Sequence, residues 1–140
     1  MKKILLTALS SSLLMVACTN MPAKTDAVPD MHTAEISLDW AGTYEGTLPC
    51  ADCVGINTKL ELFQDKTYRL AELYLTNRPG QKLFENSGKF EFDKTNPALI
   101  HLDTTPDKRL FFIGEGYLEV RDRETGQPLD SKLNYKLMKK

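Results

Sequence analysis

Apolar side chains return at every second position of this chain, and that period is the strongest constraint on what it can fold into. Ile56, Thr58, Leu60 and Leu62 alternate with Asn57, Lys59 and Glu61. Tyr68, Leu70, Glu72 and Tyr74 interleave with Thr67, Arg69, Ala71 and Leu73, so the two runs read as strands of one hairpin. Turn-forming residues cluster at 64–66, 77–80, 93–97, 104–108, 114–116 and 122–128 and cut the rest into short, evenly spaced pieces. Strands are predicted near Trp40–Leu48, Gly55–Phe63, Thr67–Thr76, Lys82–Phe92, Ala98–Asp103, Arg109–Ile113, Tyr117–Arg121 and Leu133–Met138, and no segment reads as a helix. Eight antiparallel strands in series favour an all-β, up-and-down barrel, whose closure removes exposed sheet edges; a β-sandwich is the alternative. Gly42 and Gly46 would be its bending points, and Trp40 would plug one end. Tyr68, Tyr74, Phe90, Phe92, Phe112 and Tyr135 are the aromatic candidates for the core.

The first residues carry a different pattern. Lys2 and Lys3 precede an apolar stretch, Ile4 to Val16, too short to span a bilayer, and Ala17 supplies a small residue at its end, so 1–17 reads as a signal peptide. Met15-Val16-Ala17-Cys18 resembles a lipobox, with Met where Leu is usual. That resemblance implies cleavage before Cys18, diacylation (palmitate-type chains) at its sulfur and N-acylation. Buried acyl carbon contributes about 0.8 kcal/mol per CH₂, so two or three chains anchor firmly. Thr19 stands where Asp would signal inner-membrane retention, which favours the outer membrane, with the domain facing the periplasm or the cell surface. Residues 18–38 then form a lipidated tether, polar and Pro-containing without periodicity over Met21–Glu35, and 39–140 form the folded domain.

Removing the leader takes Lys2 and Lys3 with it and leaves 16 basic residues against 19 acidic, a net charge of −3, with no basic face for nucleic acid. Cys18 is consumed by lipid, so Cys50 and Cys53 remain as the only thiol pair, in an oxidising compartment. They sit three apart in Leu48-Pro49-Cys50-Ala51-Asp52-Cys53-Val54-Gly55. Three readings are open. A structural or regulatory disulfide comes first. A soft-metal site for Cu(I) or Zn comes second, because the pair must be reduced and two ligands do not close a zinc site. A thioredoxin-type active site comes last, because Ile56 onward alternates like a strand where that chemistry needs a helix N-terminus. Asp52 reads as a turn-stabilising residue. His101 reads as an exposed strand histidine between Ile100 and Leu102, while His32, Met31 and Met21 fall in the tether. No Ser, His and acid constellation is present, so the chain reads as no enzyme.

Trp40-Ala41-Gly42-Thr43-Tyr44, Gly46 to Cys53, and Gly55-Ile56 together resemble the N-terminal domain of the NlpE family of copper-homeostasis and envelope-stress lipoproteins. So does the closing segment, with Tyr117-Leu118-Glu119, Asp122-Arg123, Gly126, Pro128, Leu129 and Leu133-Asn134-Tyr135. The resemblance implies a lipocalin-like barrel, Cys18 as lipid site, Cys50 and Cys53 as the redox or Cu(I) pair, and a signalling partner in an envelope-stress system. Enterobacterial members carry a second, OB-like domain with another cysteine pair, for which this chain leaves no room. Signalling through that domain is therefore not expected of it. Besides the sensor reading, a lipocalin-like carrier of a small hydrophobic ligand and a partner-binding periplasmic inhibitor barrel remain open.

Overall fold

The computed structural model describes residues 33–103, 108–129 and 132–140. The predicted leader, the lipid site Cys18 and the tether as far as His32 lie outside the described residues. A single helical turn, α1 (Ala34–Ser37), leads into β1 (Gly42–Leu48), β2 (Gly55–Leu62), β3 (Thr67–Leu75), β4 (Lys82–Phe92), β5 (Leu99–Leu102), β6 (Leu110–Gly114), β7 (Tyr117–Arg121) and β8 (Lys136–Lys139). Each strand pairs antiparallel with the next, and β8 returns to β1, closing the sheet into an up-and-down barrel. The sandwich alternative is excluded.

Period two becomes an inside and an outside. Across β2 and β3 the inward pairs are Leu60↔Leu70 and Leu62↔Tyr68, all four buried, while Lys59, Glu61 and Arg69 face out. Along this stretch of the hairpin the wall is apolar within and charged without. Tyr44, Leu60, Phe90, Ile100, Phe111, Leu118 and Leu137 are sealed from solvent and fill its middle. Tyr44 and Phe111 join Tyr68 and Phe90 in that core, whereas Phe112, expected there, faces outward: Phe111 pairs with inward Val120, and Phe112 carries the Arg121 guanidinium 4.6 Å from its ring centre.

Trp40 closes one end as expected, only 6% exposed, edge-on to Phe90 at 5.5 Å and Phe92 at 5.6 Å. Its indole N–H donates to the Glu35 carbonyl at 2.9 Å, and the Tyr44 hydroxyl donates to the Trp40 carbonyl at 2.7 Å. Buried Trp N–H and Tyr O–H groups need such partners. These contacts, with Leu38 packed against the core, dock residues 34–38 beneath the barrel, although the sequence pattern assigns them to the tether. The turn of helix is too short to show a 3.6-residue period.

Aspartates make three of the turns. Asp65, Asp93 and Asp122 each use Oδ1 to accept a backbone N–H and a threonine hydroxyl two or three residues on, from Thr67, Thr95 and Thr125 respectively. Such Asx geometry substitutes side-chain acceptors for backbone ones where the strand ends. It also holds all three carboxyls below the usual carboxylate range, chiefly through Thr67, Thr95 and Thr125 themselves.

Candidate functional site

Two neighbouring features at the end of the barrel opposite Trp40 could carry function. The first is the β1–β2 connection. Pro49 has no N–H for a ladder and stops β1 after Leu48. Cys50 and Cys53 are joined by a disulfide, with S–S 2.06 Å and Cα–Cα 5.3 Å, so the first of the three readings describes the pair. The Val54 N–H donates to the Leu75 carbonyl at 2.9 Å and ties the loop to β3. Ala51, Asp52 and Val54 are exposed, Val54 by 63%, and an open groove of about 750 Å³ separates them from Thr76, Asn77 and Arg78 in the β3–β4 turn. The turn-stabilising role expected of Asp52 is not observed: it sits exposed at the tip, and no described residue donates a hydrogen bond to its carboxylate.

A disulfide presents no thiolate, so the oxidised loop does not fit Cu(I), which takes soft anionic sulfur. Among the described residues no group of three or more His, Cys, Asp and Glu side chains could hold a metal either. The Cu(I) reading of Cys50 and Cys53 therefore applies to the dithiol alone. His101 lies half-exposed on its strand, as its alternation with Ile100 and Leu102 implies, and its Nε2 is 2.8 Å from the Asp93 Oδ2. His32 lies outside the described residues.

The second feature is the barrel mouth. Leu48 and Pro49, just before the disulfide, form part of the wall of a cavity of about 410 Å³ that opens to solvent. Its floor is an ion pair: Arg109 Nη1 and Nη2 reach the Glu72 carboxylate oxygens at 2.5 and 3.1 Å, with the Glu72 side chain 5% and Arg109 21% exposed. A forked guanidinium–carboxylate contact is the arrangement that tolerates such burial. Glu72 could be found from sequence, because it occupies an inward position in the Tyr68, Leu70, Tyr74 register. Arg109 could not, because its partner lies 37 residues away. Arg121 also lines the cavity, bonded to Glu119 at 2.6 Å, and its Nε is buried without a hydrogen-bond partner among the described residues. Apolar wall is supplied by Leu48, Ile56, Val120, Leu129 and Tyr135.

Against known proteins, residues 44–132 match the family model described as the NlpE N-terminal domain. Over 138 residues the chain is 33% identical to lipoprotein NlpE of Escherichia coli K12, covering 97% of this chain and 56% of that protein, so it spans little more than half the relative's length. A lipoprotein of Shewanella oneidensis has a similar structure, with TM-score 0.68 and 36% identity, over 78% of this chain and 96% of that one. The crystal structure of the Cpx pathway activator NlpE from Escherichia coli is similar at TM-score 0.54 and 35% identity, over 67% of this chain and 48% of that one.

Proposed function

This chain belongs to the NlpE family, and from that premise we propose that it is a non-enzymatic lipoprotein of the outer membrane whose Cys50–Cys53 loop reports thiol redox state to an envelope-stress partner. The observation that carries the reading is the position of the disulfide. It closes an exposed loop on the rim, outside the packed interior, so the barrel core does not depend on it. Cys50 and Cys53 are half-buried beside the exposed tip residues Ala51, Asp52 and Val54; a disulfide exchanges by thiolate attack on one sulfur, which forms a mixed disulfide and frees the other as thiolate. Exchange at Cys50 or Cys53 would thus alter the rim while leaving the core in place. Acylation of Cys18 would hold the barrel at the membrane, in the oxidising space where this exchange has meaning. The freed dithiol is the form in which the pair could take Cu(I), the copper branch of the same reading.

The carrier alternative finds little room in the middle of the barrel, where Tyr44, Tyr68, Phe90 and Phe111 meet. An eight-stranded barrel is just wide enough for side chains to fill.

The reading is tested by labelling free thiols in protein taken directly from the periplasm, before and after a reductive or copper challenge, alongside an envelope-stress reporter. Labelling at Cys50 and Cys53 should rise on challenge, and replacing both by Ser should fix the reporter at one level. A disulfide that never opens in the folded protein, with reporter output identical in the Ser variant, would refute it.

A further inference from the structure

Closure leaves one stretch of sheet edge uncovered. Lys82 to Lys89 of β4 pair with β3, whereas β5 pairs only with Phe90, Glu91 and Phe92. Asp103 ends that second ladder: its N–H donates to the Lys89 carbonyl at 3.0 Å, and its Oδ1 accepts the Lys89 N–H at 2.8 Å where a backbone carbonyl would otherwise stand. In an antiparallel ladder the bonding groups of successive residues point to opposite sides. The Phe90 N–H turns towards β3, to the Lys66 carbonyl at 2.9 Å, and Lys89 turns away from it, so Leu83 and Glu85 aim their N–H and C=O at the open side with Lys89. No described residue bonds to them there. Beside these groups stand Leu83, 59% exposed on the outer face, and Phe84, 48% exposed on the inner face with its ring edge-on to Tyr74 at 5.2 Å. Lys82 and Glu85 flank that apolar pair, exposed and without an ion-pair partner among the described residues.

We propose that this edge receives an extended segment of another polypeptide, added antiparallel to β4 as a further strand. The free backbone groups of Leu83 and Glu85 ask for a peptide backbone, and main-chain bonds supply affinity while alternate side chains supply selectivity. Cross-strand pairing then fixes the sequence class. The residues opposite Phe84 and Leu83 are apolar, the one opposite Lys82 is acidic and the one opposite Glu85 is basic. Read from its amino end, the partner runs base, apolar, apolar, acid. A second copy of this chain fits poorly. Two-fold registers centred on residue 83, 84 or 85 set Glu85 opposite Gln81, Leu83 or its own copy, and none gives Lys82 an acid. The flanking charges thus guard the edge against indiscriminate pairing and choose what joins it. The inference stands apart from the redox reading, because neither Cys50 nor Cys53 takes part in it.

Titration of the full chain, in a Cys18→Ser form that cannot be acylated, with the peptide acetyl-Thr-Lys-Ile-Val-Glu-Thr-amide tests this. Binding should be saturable and one to one. Methylating the amide nitrogens of the peptide's Lys and Val, which face β4, should weaken it at least tenfold, whereas methylating those of Ile and Glu, which face away, should leave it nearly unchanged. Exchanging the peptide's Lys and Glu keeps its composition and should also weaken binding, by setting like charges opposite each other. Leu83→Pro removes an edge donor and spares the β3 ladder, which uses the alternate residues, so it should abolish binding while far-ultraviolet dichroism stays that of the folded barrel. In the unsubstituted protein, hydrogen exchange at the Leu83 and Glu85 amides should slow on adding peptide, a readout that stands whether or not a variant folds. Absence of saturable binding, equal tolerance of the two methylation patterns, or unchanged exchange at those amides would each overturn the proposal. So would a free protein that sediments as a dimer with those amides already protected, since the edge would then belong to a second copy.

Discussion

Replacing Gly46 by alanine probes the seam at which the barrel closes. A Cβ at position 46 would stand 2.7 Å from the Lys136 carbonyl oxygen, 3.2 Å from Leu137 Cδ2 and 3.4 Å from Leu137 Cα. The first of these is backbone, so the clash is relieved only by moving β8 away from β1, where the ladder has just two Cα pairs, Tyr44↔Lys139 and Glu45↔Met138. Leu137, fully buried, would move with it. Overpacking costs about 1–3 kcal/mol, and contact with unyielding backbone belongs in the upper half of that range. Restricting the unfolded chain returns roughly 0.4–1 kcal/mol, for a net loss of about 1.5–2 kcal/mol. For a domain near 100 residues that corresponds to a fall in Tm of about 10 °C. Gly55→Ala is the control, because its Cβ would meet the methyl of exposed Thr47, a side chain able to turn aside. Differential scanning calorimetry of the two variants reads both values. A Gly46→Ala barrel melting within about 3 °C of the parent, or a Gly55→Ala barrel falling as far, would refute this account of the closure.

Asp65, Asp93 and Asp122 have folded pKa values below those of the unfolded chain, so the stability they contribute is present above about pH 4 and is lost as pH falls below it. Urea midpoints should decline from pH 5 to pH 2.5, and a triple Asp→Asn variant should show a shallower decline. At the alkaline end, burial and then the nearby Asp39 charge push the Tyr44 hydroxyl up to about 12. Its contribution is intact below pH 10 and lost as pH rises towards 12, so absorbance titration at 295 nm should show one of the five tyrosines ionising late, and Tyr44→Phe should remove that step.

Strand number, order and closure were legible because inward and outward residues alternate over β1 to β3 and turn formers punctuate the rest. The period fails where both faces are covered. In β5 and β6, Leu99 and Leu110 are buried on the outside of the barrel, beneath the 122–129 segment, where Gly126 comes within 3.0 Å of the Leu99 side chain by way of its would-be Cβ. With Leu110, Phe111 and Ile113 all buried, parity in that run cannot be read from hydrophobicity, which is why Phe112 reads as a core residue when Phe111 holds that place. The last strand begins later than its pattern suggests, at Lys136, because Asn134 Oδ1 accepts the Lys136 N–H and spends residues 133–135 on a turn. Of the mouth, the cysteine pair and the anomalous Glu72 stand out in the sequence. The cavity and the Arg109 partner are products of closure and exist only in three dimensions.

The order of the strands also sets how the domain can form. Seven of the eight pairings join consecutive strands, and each can zip from its own turn at modest loop-closure cost. The eighth, β1 with β8, joins residues almost a hundred positions apart and includes the Lys140 N–H donated to the Thr43 carbonyl. Cys50 and Cys53 span a local loop, so their bond does nothing to shorten that distance. A chain emerging from its amino terminus can therefore assemble the meander progressively, but must wait for residue 140 before the cylinder shuts, leaving β1 as an open edge until then. The slow, aggregation-sensitive stage of folding is thereby assigned to the β1–β8 seam.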